Sequence, residues 1–118
     1  MTLVNDQNIQ GIPCERGTVW LHRTGRLSQA KLSVTQKIFG FQLAADSKIT
    51  FHKNGAFRSG VLAANQKVGG LDCLAGSAIW FHDNSHLAEV TLASDQTIQG
   101  KPFVAGDRVR FKDNGDLE

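Results

Sequence analysis

Phe51-His52-Lys53-Asn54-Gly55-Ala56-Phe57 is the stretch of sequence that decides the fold. The phenylalanines at its two ends should lie on the same apolar face of a β-hairpin. A two-residue Asn-Gly loop would place Phe51 opposite Arg58 and so separate the two rings. A three-residue loop instead pairs Phe51 with Phe57 and puts Gly55 in the left-handed conformation that glycine adopts readily. The sequence therefore predicts a β-hairpin closed by a three-residue loop.

The same phrase occurs four times along the chain. Its copies occupy residues 19–27, 49–57, 79–87 and 109–117, and each copy starts 30 residues after the one before it. A fixed period in this range is typical of repeat proteins, whose units bury their apolar faces against neighbouring units. We therefore expect a single all-β domain over residues 1–118. Its units should lie at approximately 6–34, 35–64, 65–94 and 95–118, with residues 1–5 as a partial repeat strand.

Two further patterns divide each unit. A segment with glutamine first and glycine fifth precedes each hairpin phrase, at residues 7–11, 36–40, 66–70 and 96–100. A short alternating segment follows the first three phrases, at residues 30–33, 60–63 and 90–93. Alternation of period two with glycine and asparagine between the segments indicates strands. Each unit should hold three short antiparallel strands, and together they should form a twisted meander or a closed or rolled, barrel-like sheet.

The two ends of the chain show an unexpected similarity, because residues 1–9 resemble residues 90–98. An open meander leaves unpaired backbone groups at both of its edges. We therefore expect the N-terminal segment to supply a missing strand, either by closing the repeats into a ring or by pairing head to tail with a second copy. Fraying of both ends is the alternative.

The hairpin register assigns an inner, core-facing set of twelve side chains. The apolar phase slips by one residue after Leu27 and after Phe57, which predicts a β-bulge there. Ser85 stands where the three other copies have glycine, so a non-glycine residue should adopt a left-handed conformation in that loop. The inner set is Val19, Leu21, Leu27, Ile49, Phe51, Phe57, Ile79, Phe81, Leu87, Val109, Phe111 and Leu117.

Composition limits the function classes. The net charge is +2, with 13 basic residues scattered among 11 acidic ones, so we expect no nucleic-acid partner. No apolar run reaches membrane-spanning length, and the first residues lack the features of a signal peptide, so a cytoplasmic location is expected. Cys14 and Cys73 fall at one repeat position and are expected to be core residues. We find no sequence signature of a catalytic, cofactor or metal site.

The opposite, outer face carries the candidate binding residues. His22, His52 and His82 share one repeat position. Trp20, Trp80 and Arg110 share the position two residues before it, and His86 should lie opposite His82. Exposed tryptophan beside histidine and arginine is typical of a contact surface. We expect a non-enzymatic binding module that contacts a protein partner or itself, as a homo-oligomer. The alternative is a small hydrolase or sugar-binding protein with a pocket at a barrel mouth or subunit interface.

The phrase of aromatic, two residues, Asn-Gly, one residue and an apolar residue resembles the MORN-type β-hairpin repeats. The resemblance rests on residues 51–57, 81–87 and 111–117, with 21–27 as a less regular copy. It implies an extended meander that makes contacts with proteins or lipid surfaces and performs no chemistry.

Overall fold

The computed structural model describes residues 2–118, and the regular structure within this range consists of strands alone. No helix among these residues is long and apolar enough to cross a lipid bilayer. In chain order the strands are β1 (Thr2–Leu3), β2 (Gln7–Ile9), β3 (Ile12–Cys14), β4 (Gly17–Thr18), β5 (Trp20–Leu21), β6 (Leu27–Lys31), β7 (Gln36–Ile38), β8 (Phe41–Leu43), β9 (Lys48–Phe51), β10 (Phe57–Val61), β11 (Gln66–Val68), β12 (Leu71–Cys73), β13 (Ala78–Phe81), β14 (Leu87–Thr91), β15 (Gln96–Ile98), β16 (Lys101–Phe103) and β17 (Arg108–Arg110).

Seven of these strands form one antiparallel sheet, in the order β5-β6-β9-β10-β13-β14-β17. Strands β5 and β17 are its two edges and do not pair with each other, so the expectation of a closed or barrel-like sheet is wrong. Closure requires the first and last strands to meet, with strands tilted against the barrel axis. Here successive hairpins add in one direction, and the molecule measures 49 × 26 × 18 Å.

The four Gln-x-x-x-Gly segments form short hairpins of their own, β2-β3, β7-β8, β11-β12 and β15-β16. The expectation of three strands per unit is therefore wrong, because each Gln-x-x-x-Gly segment contains a strand of its own, which pairs with the strand that follows it. Each short hairpin has a two-residue turn whose residues both have positive φ, for example Phe39 at 53° and Gly40 at 87°. This is the type I′ turn that joins two strands most tightly.

The long hairpins have the predicted three-residue loops. Phe51 pairs with Phe57, and the His52 amide donates to the Ala56 carbonyl at 2.8 Å. The same register places Leu21 opposite Leu27, Phe81 opposite Leu87 and Phe111 opposite Leu117. Gly55 has φ of 88° and Ser85 has φ of 70°, and the first three hairpins each contain the predicted bulge.

The core lies between the inner face of the seven-stranded sheet and the four short hairpins. Cys14 and Cys73 are fully buried there, as expected, together with most of the predicted inner set. Phe81, Leu87 and Leu117 are partly buried against this cluster. Leu21 departs from the prediction, because it lies on the edge strand β5 and is 42% exposed.

The N-terminal strand pairs within the same chain. Thr2 lies opposite Thr18 and Leu3 opposite Gly17, and the Leu3 side chain is buried. Strand β1 therefore extends the first unit, and the ring alternative is wrong. Met1, which the prediction included in this segment, lies outside the described residues.

Candidate binding surfaces

The three histidines of the repeat position serve contacts between hairpins. The Nε2 atoms of His22, His52 and His82 lie 3.0, 2.8 and 2.8 Å from the carbonyl oxygens of Phe51, Phe81 and Phe111. In each case the acceptor is 29 residues further along the chain, in the next hairpin.

The histidine contacts replace backbone pairing at the hairpin tips. The backbone of β10 pairs with β13 at Ser59, Gly60 and Val61 and no nearer the tip. The imidazole bridges the two hairpins beyond that point. These three rings, half-buried and hydrogen-bonded, stabilise the array, which limits their availability to a partner.

His86 differs from the other three histidines. Its carbonyl accepts a hydrogen bond from the His82 amide at 2.8 Å, which confirms that the two residues face each other across the hairpin. Its side chain is exposed and lines a cavity at the hairpin tips. Within residues 2–118 no group of three or more His, Cys, Asp or Glu side chains could hold a metal ion.

The two tryptophans belong to a straight row across the outer face. Cross-strand pairing connects one residue from each strand of the sheet, so the row spans its whole width. We call it the central row; its members are Trp20, Gln29, Thr50, Ser59, Trp80, Glu89 and Arg110. Because neighbouring strands are about 4.8 Å apart, the two indoles are separated by four spacings, about 19 Å.

The two ends and the middle of the central row differ in burial. Trp20 is 57% exposed, whereas Thr50 and Ser59 are buried and hydrogen-bond to each other through their hydroxyl groups. Trp80 is half-buried, and the Arg58 guanidinium lies over its ring at 5.6 Å. This geometry is that of a cation–π contact. The row therefore offers one exposed indole and one indole covered by a cation.

A second row parallel to the first adds positive charge to this face. It contains the pairs Lys31–Lys48, Val61–Ala78 and Thr91–Arg108. Together the two rows and Arg58 form what we call the outer face. Its charged side chains are five cations and one carboxylate, namely Lys31, Lys48, Arg58, Arg108, Arg110 and Glu89.

The single carboxylate of the outer face is shared by two arginines. Glu89 Oε1 lies 2.8 Å from Arg110 Nε, and Glu89 Oε2 lies 4.0 Å from Arg108 Nε. Both arginine side chains remain mostly exposed, at 65% and 60%. Exposed ion pairs of this kind contribute little to stability. Because two arginines share one carboxylate, the cluster keeps a net positive charge. Sequence reasoning missed it because acidic and basic residues alternate along the chain, and only the strand register sorts them by face.

A groove runs along the other, inner side of the hairpin tips. It contains three cavities of about 230, 350 and 420 Å³, one at each junction between neighbouring units. Each cavity is lined by the turn of a short hairpin, the apolar residues of a long hairpin and the loop of the next long hairpin. We call this surface the tip groove. Its aromatic residues are Phe39, Phe41, Phe51, Phe57, Phe81 and Phe111.

The walls of the tip groove are built by the first residue of each short-hairpin turn. In the first unit, Gln10 Nε2 donates to the Gly25 carbonyl at 2.9 Å and Gln10 Oε1 accepts from the Leu27 amide at 3.0 Å. Gln99 makes the equivalent pair of bonds to Gly115 and Leu117. We call this two-point contact the amide bridge. Phe39 and Gly69 stand at the same position in the second and third units and have no side-chain amide.

A polar cavity of about 420 Å³ lies at the opposite edge and brings Asp6, Glu15 and Asp46 together. Asp6 is engaged in capping a turn, since its Oδ1 accepts from the Arg16 amide at 2.7 Å. Thr35, Asn65 and Asp95 make the same contact ten residues along. The nearby Asp46 carboxyl and partial desolvation raise the pKa of Glu15.

The cysteines are poor nucleophiles in this fold. Burial raises the pKa of the Cys14 thiol, and it raises the pKa of Cys73 to about 11. Because the thiolate is the reactive form, both side chains act as small apolar core groups.

Comparison of the chain with protein-family models, with curated proteins and with solved structures gives no match.

Proposed function

We propose that this protein is a non-enzymatic binding module, an array of four β-hairpin units that holds an acidic protein surface against its outer face. The observation that carries the proposal is the sorting of five cations and both tryptophans onto that one face. Interface cores are enriched in tryptophan and arginine, and complementary charge steers partners toward one another.

The structure changes which residues the proposal uses. Trp20, Trp80 and Arg110 remain on the proposed contact surface, joined by Lys31 and Lys48. The histidines at positions 22, 52 and 82 are assigned to stabilising the array, because their Nε2 atoms already contact carbonyl oxygens. His86 is assigned to the tip groove. The proposal includes self-association through this same face, and its test is the mass of the protein in solution.

The hydrolase alternative has one observation in its favour, the convergence of Asp6, Glu15 and Asp46. Asp6 has a structural role, since it makes a turn contact that Thr35, Asn65 and Asp95 make in the other units. Glu15 and Asp46 are then the two carboxylates of this cluster that no repeated contact explains. We place binding ahead of catalysis.

The protein is well suited to a direct test, because it has two tryptophans, both on the outer face, and no tyrosine. Tryptophan emission therefore reports on that face. The probe is poly-L-glutamate, titrated at low salt, with emission and salt dependence as readouts. We expect a saturable change in emission that weakens as salt rises, since screening reduces attraction between exposed charges.

Variants separate this surface from the rest of the molecule. The double change Lys31→Glu with Lys48→Glu should weaken poly-L-glutamate binding by tenfold or more. Lys67→Glu with Lys101→Glu is the matched control, since both lysines are exposed on the short strands β11 and β16. An equal effect of both changes, or no emission change in the wild type, would reject the outer face. Sedimentation of the protein alone shows whether a second copy occupies it.

A further inference from the structure

The three cavities of the tip groove are copies of one site. The cavity at the first junction is lined by Gln10, Ile12, Arg26, Leu27, Phe39, Phe51 and Gly55. Advancing by two units gives the lining of the third cavity, where Gly69, Leu71, His86, Leu87, Gln99, Phe111 and Gly115 take those positions. The middle cavity contains the equivalents Phe39, Phe41, Ala56, Phe57, Phe81 and Ser85, together with Gly55. A linear ligand would therefore meet the same set of repeat positions three times.

The spacing of these cavities selects the form of the ligand. Neighbouring junctions are two strands apart, which is about 9.6 Å. A polyproline II helix has three residues per turn and rises 3.1 Å per residue, so it returns to the same face every 9.3 Å or so. A β-strand returns to the same face after roughly 6.7 Å, and an α-helix turns every 5.4 Å or so. The polyproline II period is the one that fits.

The lining of the groove fits the same ligand. Phe39 is 57% exposed, and its ring lies 5.4 Å from Phe57, which in turn lies 5.6 Å from Phe81. Aromatic-lined grooves bind proline-rich segments because the ligand is already stiff and loses little entropy on binding. The backbone of such a segment has no internal hydrogen bonds and needs donors. The exposed imidazole of His86 can supply one at the third cavity.

We propose that the tip groove binds a polypeptide segment in the polyproline II conformation, with one apolar residue in every three seated in successive cavities. The site is separate from the outer face. Gly69 is the residue that opens it most, since the cavity beside it is about 420 Å³. The cavity between Gln10 and Phe39 is about 230 Å³.

The substitution Gly69→Gln provides a variant that fills the groove and keeps the fold. Gly69 has φ of 60°, close to the 53° of Gln10 and the 50° of Gln99, so glutamine already occupies this conformation twice in the chain. A Cβ atom at Gly69 would lie 3.4 Å from Leu87 Cδ2, an ordinary contact. The new side chain can form the amide bridge to the Ser85 carbonyl and the Leu87 amide, at the wall between the second and third cavities.

The experiment measures fluorescence anisotropy of labelled decaproline, with a labelled (Gly-Ser)5 peptide as the flexible control. The wild type should bind decaproline saturably at one to one and leave the control unbound. Gly69→Gln should bind decaproline at least tenfold more weakly, with a melting temperature no lower than that of Gly69→Ala. Lys67→Gln adds glutamine to the same short hairpin at an exposed position outside the three cavities, so it should bind as the wild type does.

Three results would overturn the proposal: no decaproline binding at millimolar concentration, equal binding of both peptides, or unchanged affinity in Gly69→Gln. A concentration-dependent dimer that Gly69→Gln abolishes would also overturn it, because the groove would then hold a second copy. Tryptophan emission distinguishes this site from the outer face. Decaproline in the tip groove should leave that emission unchanged, and Lys31→Glu with Lys48→Glu should leave decaproline binding unchanged.

Discussion

The turns of the first and fourth short hairpins differ from those of the second and third in how they are held. Gln10 and Gln99 fix their turns to the adjacent long hairpins by the amide bridge. Phe39 places a ring against Phe51 and Phe57 instead, and Gly69 places nothing there. The backbone is nevertheless the same at all four positions, with φ between 50° and 60°.

The backbone conformation of the turn and the contacts of its first side chain therefore have different causes. The turn geometry comes from the glycine that follows and from the pairing of the short strands. The first turn residue is therefore not needed to shape the backbone and can vary. In the end units it joins the short hairpin to the long hairpin of the same unit, and in the middle units it leaves an apolar groove open.

The largest effect should come from the aromatic packing that replaces the amide bridge in the second unit. Phe57 is buried and its ring contacts Phe39, Phe41, Phe51 and Phe81. Phe57→Ala should lower the free energy of unfolding by about 3–5 kcal/mol, as lost burial and a residual cavity both act. Urea unfolding measures this. A loss no greater than that of Gln10→Ala would show that ring packing does not hold the second unit.

Removal of the amide bridge from an end unit should have a smaller effect. Gln99→Ala deletes two hydrogen bonds on an exposed surface, which should lower the free energy of unfolding by about 1 kcal/mol. The reverse change supplies the control in the middle of the array. Gly69→Gln should be more stable than Gly69→Ala by a similar amount, because both accept the same φ and only glutamine can form the bridge. Equal stability of the two Gly69 variants would mean that the bridge contributes nothing.

The long hairpins follow from sequence because their signals are local. The parity of Phe51 and Phe57 around Asn54-Gly55 leaves one loop length, and the structure has it. The short hairpins were missed as pairs of strands because Gln10 and Phe39 are not residues that usually signal a positive φ. Their glycine partners were visible, but a lone glycine does not distinguish a tight turn from the end of a strand.

The surfaces were harder to predict than the strands. Alternation places His52 on the outer side, but it does not show that hairpins stop pairing near their tips and leave a carbonyl for the ring. The basic face needs the cross-strand register, since Lys31 and Lys48 become neighbours only after the sheet forms. The tip groove forms only where the short and long hairpins of two neighbouring units come together. Each surface is a property of contacts between units, which a pattern within one unit does not contain.

The third unit also differs from the others in its loop, where a small stabilisation should be available. Ser85 has φ of 70°, whereas the equivalent residues Gly25, Gly55 and Gly115 are glycines. Ser85→Gly should raise the free energy of unfolding by about 0.5–1 kcal/mol, since glycine adopts this conformation without strain. Gly25→Ser is the matched reverse change at a site with open space, and it should lower stability by a similar amount. Thermal melting of both variants tests the pair, and a shift in the same direction for both would contradict it.

The smallest effect should be a pH dependence confined to the first junction, where the contacts between short hairpins differ again. Gln66 and Gln96 each bind the backbone of the preceding unit, at Gln42 and Asp72. At the first junction the equivalent backbone position is Pro13, which has no amide hydrogen to donate. Glu15 and Asp46 meet there instead, and the buried Glu15 Oε2 has no hydrogen-bond partner among the described residues.

The nearby Asp46 carboxyl fixes the sign of that pH dependence. It raises the pKa of Glu15, with Asp6 adding to the rise and Lys31 opposing it. The folded protein therefore favours protonated Glu15, so the contribution is full below the ordinary pKa and is lost as pH rises through the raised one. Unfolding of the wild type and Glu15→Gln should be compared between pH 3.5 and 7 or so, because glutamine can donate to Asp46 at every pH. The wild type should lose stability relative to Glu15→Gln across this window. A constant difference, or one of opposite sign, would show that the carboxyl pair does not join the first two units.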